Sequence, residues 1–375
     1  MLQRLEVLRS EKCNNIDAMS IAPLSMPEDL ATPIIASRAK IAADLPPEYR
    51  AELQHFLLAH ESLQDHELVR RLAETITIDN FPANAYAAEG LLISKVNHGF
   101  WEHFAYMHAS PGHRTTYRDV NLPLRENQYL TGDFLDVLTA SMLGSLPLSS
   151  IDRFVSCTTG VQTFSDCLGA PWASGTGNFE NYKLSDFKRG AVRGLLAFAH
   201  LHKMSSSASQ VPLRFHDSYS NNKSFEDGIL LDTLCRSANE DTVCLIMGPE
   251  RLGGVRVTNW PGSHAFLCLS GNHAQAQWRF NLVNLLSVLK HYDTLDRRVV
   301  VLFQGAVLGP LLVRFLADFI ETLTIKVSFL DLGRLLDIAY EADISKTGSP
   351  LPNRSFDSKN MLNIVECGDT IFQEA

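Results

Sequence analysis

The sequence predicts an α/β fold organised around a mostly parallel sheet, and three observations predict it. The runs Val243–Met247 and Val299–Phe303 are continuously apolar, and Val327–Leu330 is apolar but for Ser328, the pattern of strands buried on both faces. Each leads into a turn marked by glycine: Gly248-Pro249-Glu250-Arg251-Leu252-Gly253-Gly254, then Gln304-Gly305 through Gly309-Pro310, then Asp331-Leu332-Gly333-Arg334. Between the last two strands Leu311, Leu312, Phe315, Leu316 and Ile320 recur at helical spacing. Strand, turn, helix and strand make a β-α-β unit, whose crossover is right-handed. With a further strand at His264–Leu269 and a helix over Ala274–Leu289, four strands alternate with their connections. That alternation belongs to a Rossmann-like, doubly wound, mostly parallel sheet, here preceded by a helical N-terminal extension.

Taken in order, residues 1–45 carry prolines at 23, 27 and 33 and read as an extension packed over the domain. Residues 46–205 form a helical and loop-rich N-terminal half. Within it Leu53, Phe56, Leu57, Leu63, Leu68 and Leu72 mark one or two amphipathic helices, whose His55, His60 and His66 read as solvated surface side chains before metal ligands. Residues 108–130, with Arg114, Arg118 and Arg125, read as a long loop, and helices are expected at Thr131–Leu146 and Leu184–His202. Asp152–Cys157 is a short strand. The connector Ser205–Gln210 opens the Rossmann-like half, 206–345, where Ser224-Phe225-Glu226-Asp227 resembles a capping box before a helix over Gly228–Arg236. Residues 346–375 read as a C-terminal arm.

Composition bounds the function classes. Of 375 residues 45% are hydrophobic and 20% charged, as in ordinary globular proteins, so disorder over the whole chain is excluded. The net charge of -9 and the absence of Lys/Arg runs argue against a nucleic-acid partner. No window reaches the roughly 18 consecutive apolar residues of a membrane span, and the first residues lack the apolar core of a signal peptide, so a cytoplasmic location is expected. The 7 cysteines are scattered, with no C-x-x-C pair, and suggest neither a zinc site nor a disulfide framework.

Ligands of open parallel sheets bind beyond the carboxyl ends of the strands. The candidate binding residues are therefore Gly248, Pro249, Glu250, Arg251, Gly305, Gly309, Pro310, Asp331, Gly333 and Arg334. The spacing Gly305-x-x-x-Gly309 is neither the dinucleotide fingerprint nor a P-loop, and close helix-to-strand packing accounts for it equally well. For chemistry, three side chains stand out. Glu89 sits between a small-residue loop and an apolar element, either as a helix N-terminal charge or as a site residue. His216 and Asp217 open the polar cluster His216-Asp217-Ser218-Tyr219 after a short apolar strand. Adjacent strand residues point to opposite faces, so the cluster is not a Ser-His-Asp triad, but Asp217 suits a general base or a metal ligand.

The segments 243–253 with GPERLG, 301–310 with GAVLGP, and the strand ending in Asp331-Leu332-Gly333 with Glu341 behind it resemble the GT-D type of glycosyltransferase domain. The resemblance spans roughly residues 211–341. It implies transfer of a sugar from a nucleotide-sugar donor to a small-molecule or glycan acceptor, with a divalent metal, Mn or Mg, as cofactor. The family's acidic Asp-x-Glu element is matched here by Ala87-Ala88-Glu89, with the Glu and without the Asp. Arg251, Lys223 or the loop arginines are then the cations that would neutralise the diphosphate. The alternative function is a non-catalytic nucleotide-binding module or an S-adenosylmethionine-dependent methyltransferase. A homo-oligomer is left open.

Overall fold

A computed structural model describes residues 47–75, 78–79, 90–96, 101, 104–105, 157–161, 183–184, 186–205, 214–217, 225, 227–269, 277–305, 308–333, 335–340 and 361–364. Outside them fall Glu89, Lys223, Arg334, Glu341, the extension 1–45, the loop arginines, the helix expected at 131–146 and most of the C-terminal arm.

Buried apolar runs must pair their backbone groups inside the protein, and here they do so in one sheet. Its strands are β1 (Ile78–Asp79), β2 (Leu92–Val96), β3 (Cys157–Val161), β4 (Arg214–Asp217), β5 (Val243–Gly248), β7 (His264–Cys268), β8 (Val299–Phe303) and β9 (Val327–Asp331). The order is β1-β4-β3-β2-β9-β8-β5-β7 and every pairing is parallel, as expected of an α/β doubly wound sheet. Two further short strands, β6 (Val255–Val257) and β10 (Leu362–Ile364), form a separate antiparallel ribbon. Strands from the span 46–205 and from the span 206–345 thus lie side by side. The strand expected at 152–157 begins, among the described residues, at Cys157 and continues through the β-branched Thr158 and Thr159 to Val161.

Six α-helices accompany them among the described residues: α1 (Pro47–Ala59), α2 (Asp65–Thr75), α3 (Asp186–Ser205), α4 (Ile229–Ser237), α5 (Trp278–Thr294) and α6 (Leu308–Phe319). Helix α4 begins after Gly228, at φ 75, with no side-chain cap, in place of the capping box expected from 224–227. His60, expected on the surface, is buried at the end of α1, where its Nδ1 donates to Phe56 O at 2.7 Å and its ring stacks on Phe56.

Side-chain alternation along each strand separates two apolar layers. Val243, Leu245, Met247, Val299, Val301, Phe303, Val327 and Phe329 pack with α3, α5 and α6. Cys244, Ile246, Val300, Leu302, Leu330 and Ile93 pack on the other face with α4, β6 and Leu335–Leu336. The layering follows the direction of each connection. From β8 to β9, and from β7 back to β8, the chain moves one way and its helices lie on the first face; from β5 to β7 it moves the other way over the second face. A fixed crossover hand requires this exchange.

Candidate functional site

Because β5, β8 and β9 are adjacent and parallel, the turns that follow them emerge at one edge of the sheet. Connections leave β5 and β8 in opposite directions, so the chain reverses between these two strands, which is where open α/β sheets take ligands. Gly248 closes β5, Pro249 is extended, and Glu250–Leu252 forms one 3-10 turn that carries Arg251 at this edge.

Three side chains, one from each turn, meet there. Asp337 lies in a short 3-10 helix, Leu335–Tyr340, that follows β9, and it is 5% exposed. Its Oδ1 accepts Arg251 Nε at 3.1 Å, Arg251 Nη2 at 2.9 Å and Gln304 Nε2 at 2.8 Å. Gln304, the residue after β8, is 4% exposed, and its Oε1 has no hydrogen-bond partner. An unpaired buried acceptor of this kind costs about 1–3 kcal/mol.

On the opposite face of the same edge sits Asp331. Oδ2 accepts the Lys95 N–H and Oδ1 the Gly333 N–H, each at 3.0 Å. Burial pushes its carboxyl up to about 7, against the opposing pull of those two N–H groups and the Lys95 charge. Two glycines make this geometry. Gly333 has φ 60, which lets the chain turn back to offer its N–H. A Cβ on Gly309 would lie 2.1 Å from Asp331 Oδ2, so the first turn of α6 can approach the carboxylate only without a side chain.

The remaining sequence candidates divide. Gly305 and Pro310, with Gly309, lie beside β8 and at the start of α6, while Glu250 is exposed. His216 and Asp217 are the last residues of β4, on the same carboxyl edge but three strands from β9, about 14 Å away at about 4.8 Å per strand. They are not part of the β5–β8–β9 cluster. Glu89 and Arg334 lie outside the described residues. Asp337 and Lys95 were not among the sequence candidates, and Gln304 entered only as the first residue of the turn after β8. The available signals were a lone Asp inside the apolar Leu335-Leu336-Asp337-Ile338, a Gln directly after a fully apolar strand, and a Lys at a strand end.

Among the described residues no three His, Cys, Asp or Glu side chains group so as to hold a cation. A single carboxylate whose Oδ1 already accepts from Arg251 and Gln304 does not fit Mn or Mg. Among them, too, no helix is long and apolar enough to cross a membrane, and Cys235, Cys244 and Cys268 are free thiols. Compared with protein-family models, curated proteins and solved structures, the chain finds no match, so the site stands on its own geometry.

Proposed function

We propose that the chain is a glycosyltransferase-like enzyme that moves a sugar from a nucleotide-sugar donor to an acceptor hydroxyl. One observation supports the reading above others: three turns meet at the carboxyl ends of adjacent parallel strands, at the place where the chain reverses, and they present an arginine there. In an inverting transfer the acceptor oxygen bonds to the anomeric carbon as the bond to the diphosphate breaks. A carboxylate takes the hydroxyl proton, and a cation offsets the charge on the leaving phosphate. Arg251 is the cation of this reading. Glu89 and Asp217 are its candidate bases, Asp217 from the far side of the same edge. Asp331, with both oxygens engaged by backbone N–H groups, ties β2 to the turn after β9.

A second observation favours a nucleotide-binding module without catalysis. The space above the turn glycines is filled by the chain itself: by Leu252 at Gly248, by Phe303 and Leu269 at Gly305, and by the Asp331 carboxylate at Gly309. Incubation with uridine-, guanosine- and thymidine-diphosphate sugars and with S-adenosylmethionine, followed by thermal stability and nucleotide release, separates the readings. A transferase is stabilised by one donor and releases its nucleoside diphosphate. Asp217→Asn or Glu89→Gln then lowers turnover about 10²- to 10⁴-fold with little change in donor affinity. Stabilisation without release supports the module, and stabilisation by S-adenosylmethionine alone the methyltransferase. No stabilisation by any of them removes the nucleotide reading.

A further inference from the structure

Building on the nucleotide-sugar reading, we propose that Asp337 and Gln304 are positioning residues that hold Arg251 as the phosphate-reading group of the β5–β8 crevice, and that the ligand donates a hydrogen bond to Gln304 Oε1. The ligand class is then a nucleoside or sugar phosphate that carries an N–H or O–H donor close to its phosphate.

The burial of the cluster is graded. The Asp337 side chain is 7% exposed and the Arg251 side chain 48%, so the carboxylate is the anchor and the guanidinium its water-facing end. Arginine presents five donors in a rigid planar fork. Holding Nε and Nη2 on one buried oxygen fixes the plane of that fork before any anion arrives, and less ordering remains to be done on binding.

Gln304 supplies the second half of the argument. Its Nε2 donates to Asp337 Oδ1, and the flipped amide would set oxygen against oxygen, so the orientation is dictated by the carboxylate. Oε1 is thereby left buried at this edge with no partner. Acceptors this deeply buried are ordinarily paired, and a ligand donor completes the set. The residue comes from the turn after β8, Arg251 from the turn after β5 and Asp337 from beyond β9, so the cluster registers both sides of the strand reversal at once.

Calorimetric titration of the full chain with uridine diphosphate, guanosine diphosphate and inorganic pyrophosphate tests this, with thermal unfolding run on every variant. Arg251→Lys keeps the charge and, being half exposed, keeps the fold; binding of pyrophosphate and of the preferred nucleotide should weaken about 10- to 100-fold. Asp337→Asn should weaken both probes likewise. Gln304→Met should weaken the nucleotide more than pyrophosphate, because only the nucleotide carries the extra donor. If the folded Arg251→Lys and Gln304→Met proteins bind like the unmodified chain, the cluster is structural and the inference is overturned, while the nucleotide-sugar reading survives. If the unmodified chain binds none of the three probes, both fall.

Discussion

At the amino-terminal edge of the sheet, Asp293 accepts Lys290 Nζ at 2.6 Å, the Thr324 N–H at 2.6 Å, the Thr324 hydroxyl at 2.7 Å and the Ile325 N–H at 3.3 Å. At the carboxyl-terminal edge, Asp331 accepts two backbone N–H groups and is buried. Burial raises both carboxyls, but at Asp293 the donors outweigh it and bring the group down to about 2, whereas at Asp331 burial wins and the group sits at about 7. The same residue type, at opposite ends of one β-α-β unit, is a saturated anchor in one place and a strained acid in the other. Asp293 ties the chain before β8 to the chain before β9. The carboxyl edge keeps a carboxylate raised by burial on one face and the unmade Gln304 hydrogen bond on the other.

The glycines give the largest test of this contrast. A Cβ on Gly262, at the amino edge, would lie 2.0 Å from the Thr242 carbonyl oxygen; a Cβ on Gly309 would meet only the Asp331 side chain so closely, at 2.1 Å. Gly262→Ala should therefore cost about 3 kcal/mol or more, and no side-chain change should recover it. Gly309→Ala should cost about 1–3 kcal/mol, and Asp331→Ala in the same chain should return part of that loss. Urea midpoints of the two singles and the double decide; equal, unrecoverable losses would erase the distinction.

Next in size is Asp293→Ala, which removes the carboxylate acceptor of the exposed Thr324 N–H and the half-buried Ile325 N–H and should cost about 2–3 kcal/mol in urea denaturation at neutral pH. A loss under about 0.5 kcal/mol would mean that water replaces the carboxylate without penalty.

The smallest effect is a pH slope. Asp331 holds its proton to about 7 in the folded chain against an ordinary value of 3.8, so its contribution is present below about pH 4 and is lost as pH rises through 7. Asp293 runs the other way: its contribution is present above 3.8 and is lost as pH falls towards 2. His264 overlaps the first window with opposite sign. Burial and Arg256 lower it from 6.5 to about 4, and its ring nitrogen accepts the Val257 N–H as only the neutral ring can, so stability declines as pH falls between these values. The unmodified curve therefore mixes two slopes. Subtracting it from the Asp331→Asn curve isolates one of them, and the variant should gain relative to the parent as pH rises from 4 to 8. A flat difference would mean that Asp331 is ionised throughout.

The strands read most easily from sequence were those whose every side chain is buried, such as Val299–Phe303 and Val327–Asp331. β2 was harder, since Leu92-Ile93-Ser94-Lys95-Val96 breaks its apolar run where the strand reaches the carboxyl edge. β1 and β6, at two and three residues, are shorter than any period that could announce them. Of the site, the three turns were legible because glycine and proline punctuate them. Their contacts were not. Arg251 was read as a cation for a ligand, but its partner stands 86 residues later on a short 3-10 turn, and nothing local marks it. Lys95 and Asp331 are 236 residues apart. Such pairs are set by the order of strands in the sheet, which local patterning does not carry.

The central pairing of β2 with β9 joins the earliest wide strand to the latest. Loop-closure entropy grows only with the logarithm of the span, so the finished protein loses little by this arrangement. Synthesis is a different matter. A ribosome releases β2 long before β9 exists, and until then the inner edge of β2 has unpaired backbone groups and no native neighbour to cover them. The two halves of the sheet can zip together only once the chain has been made as far as Asp331, so assembly is timed by translation at the seam between β2 and β9.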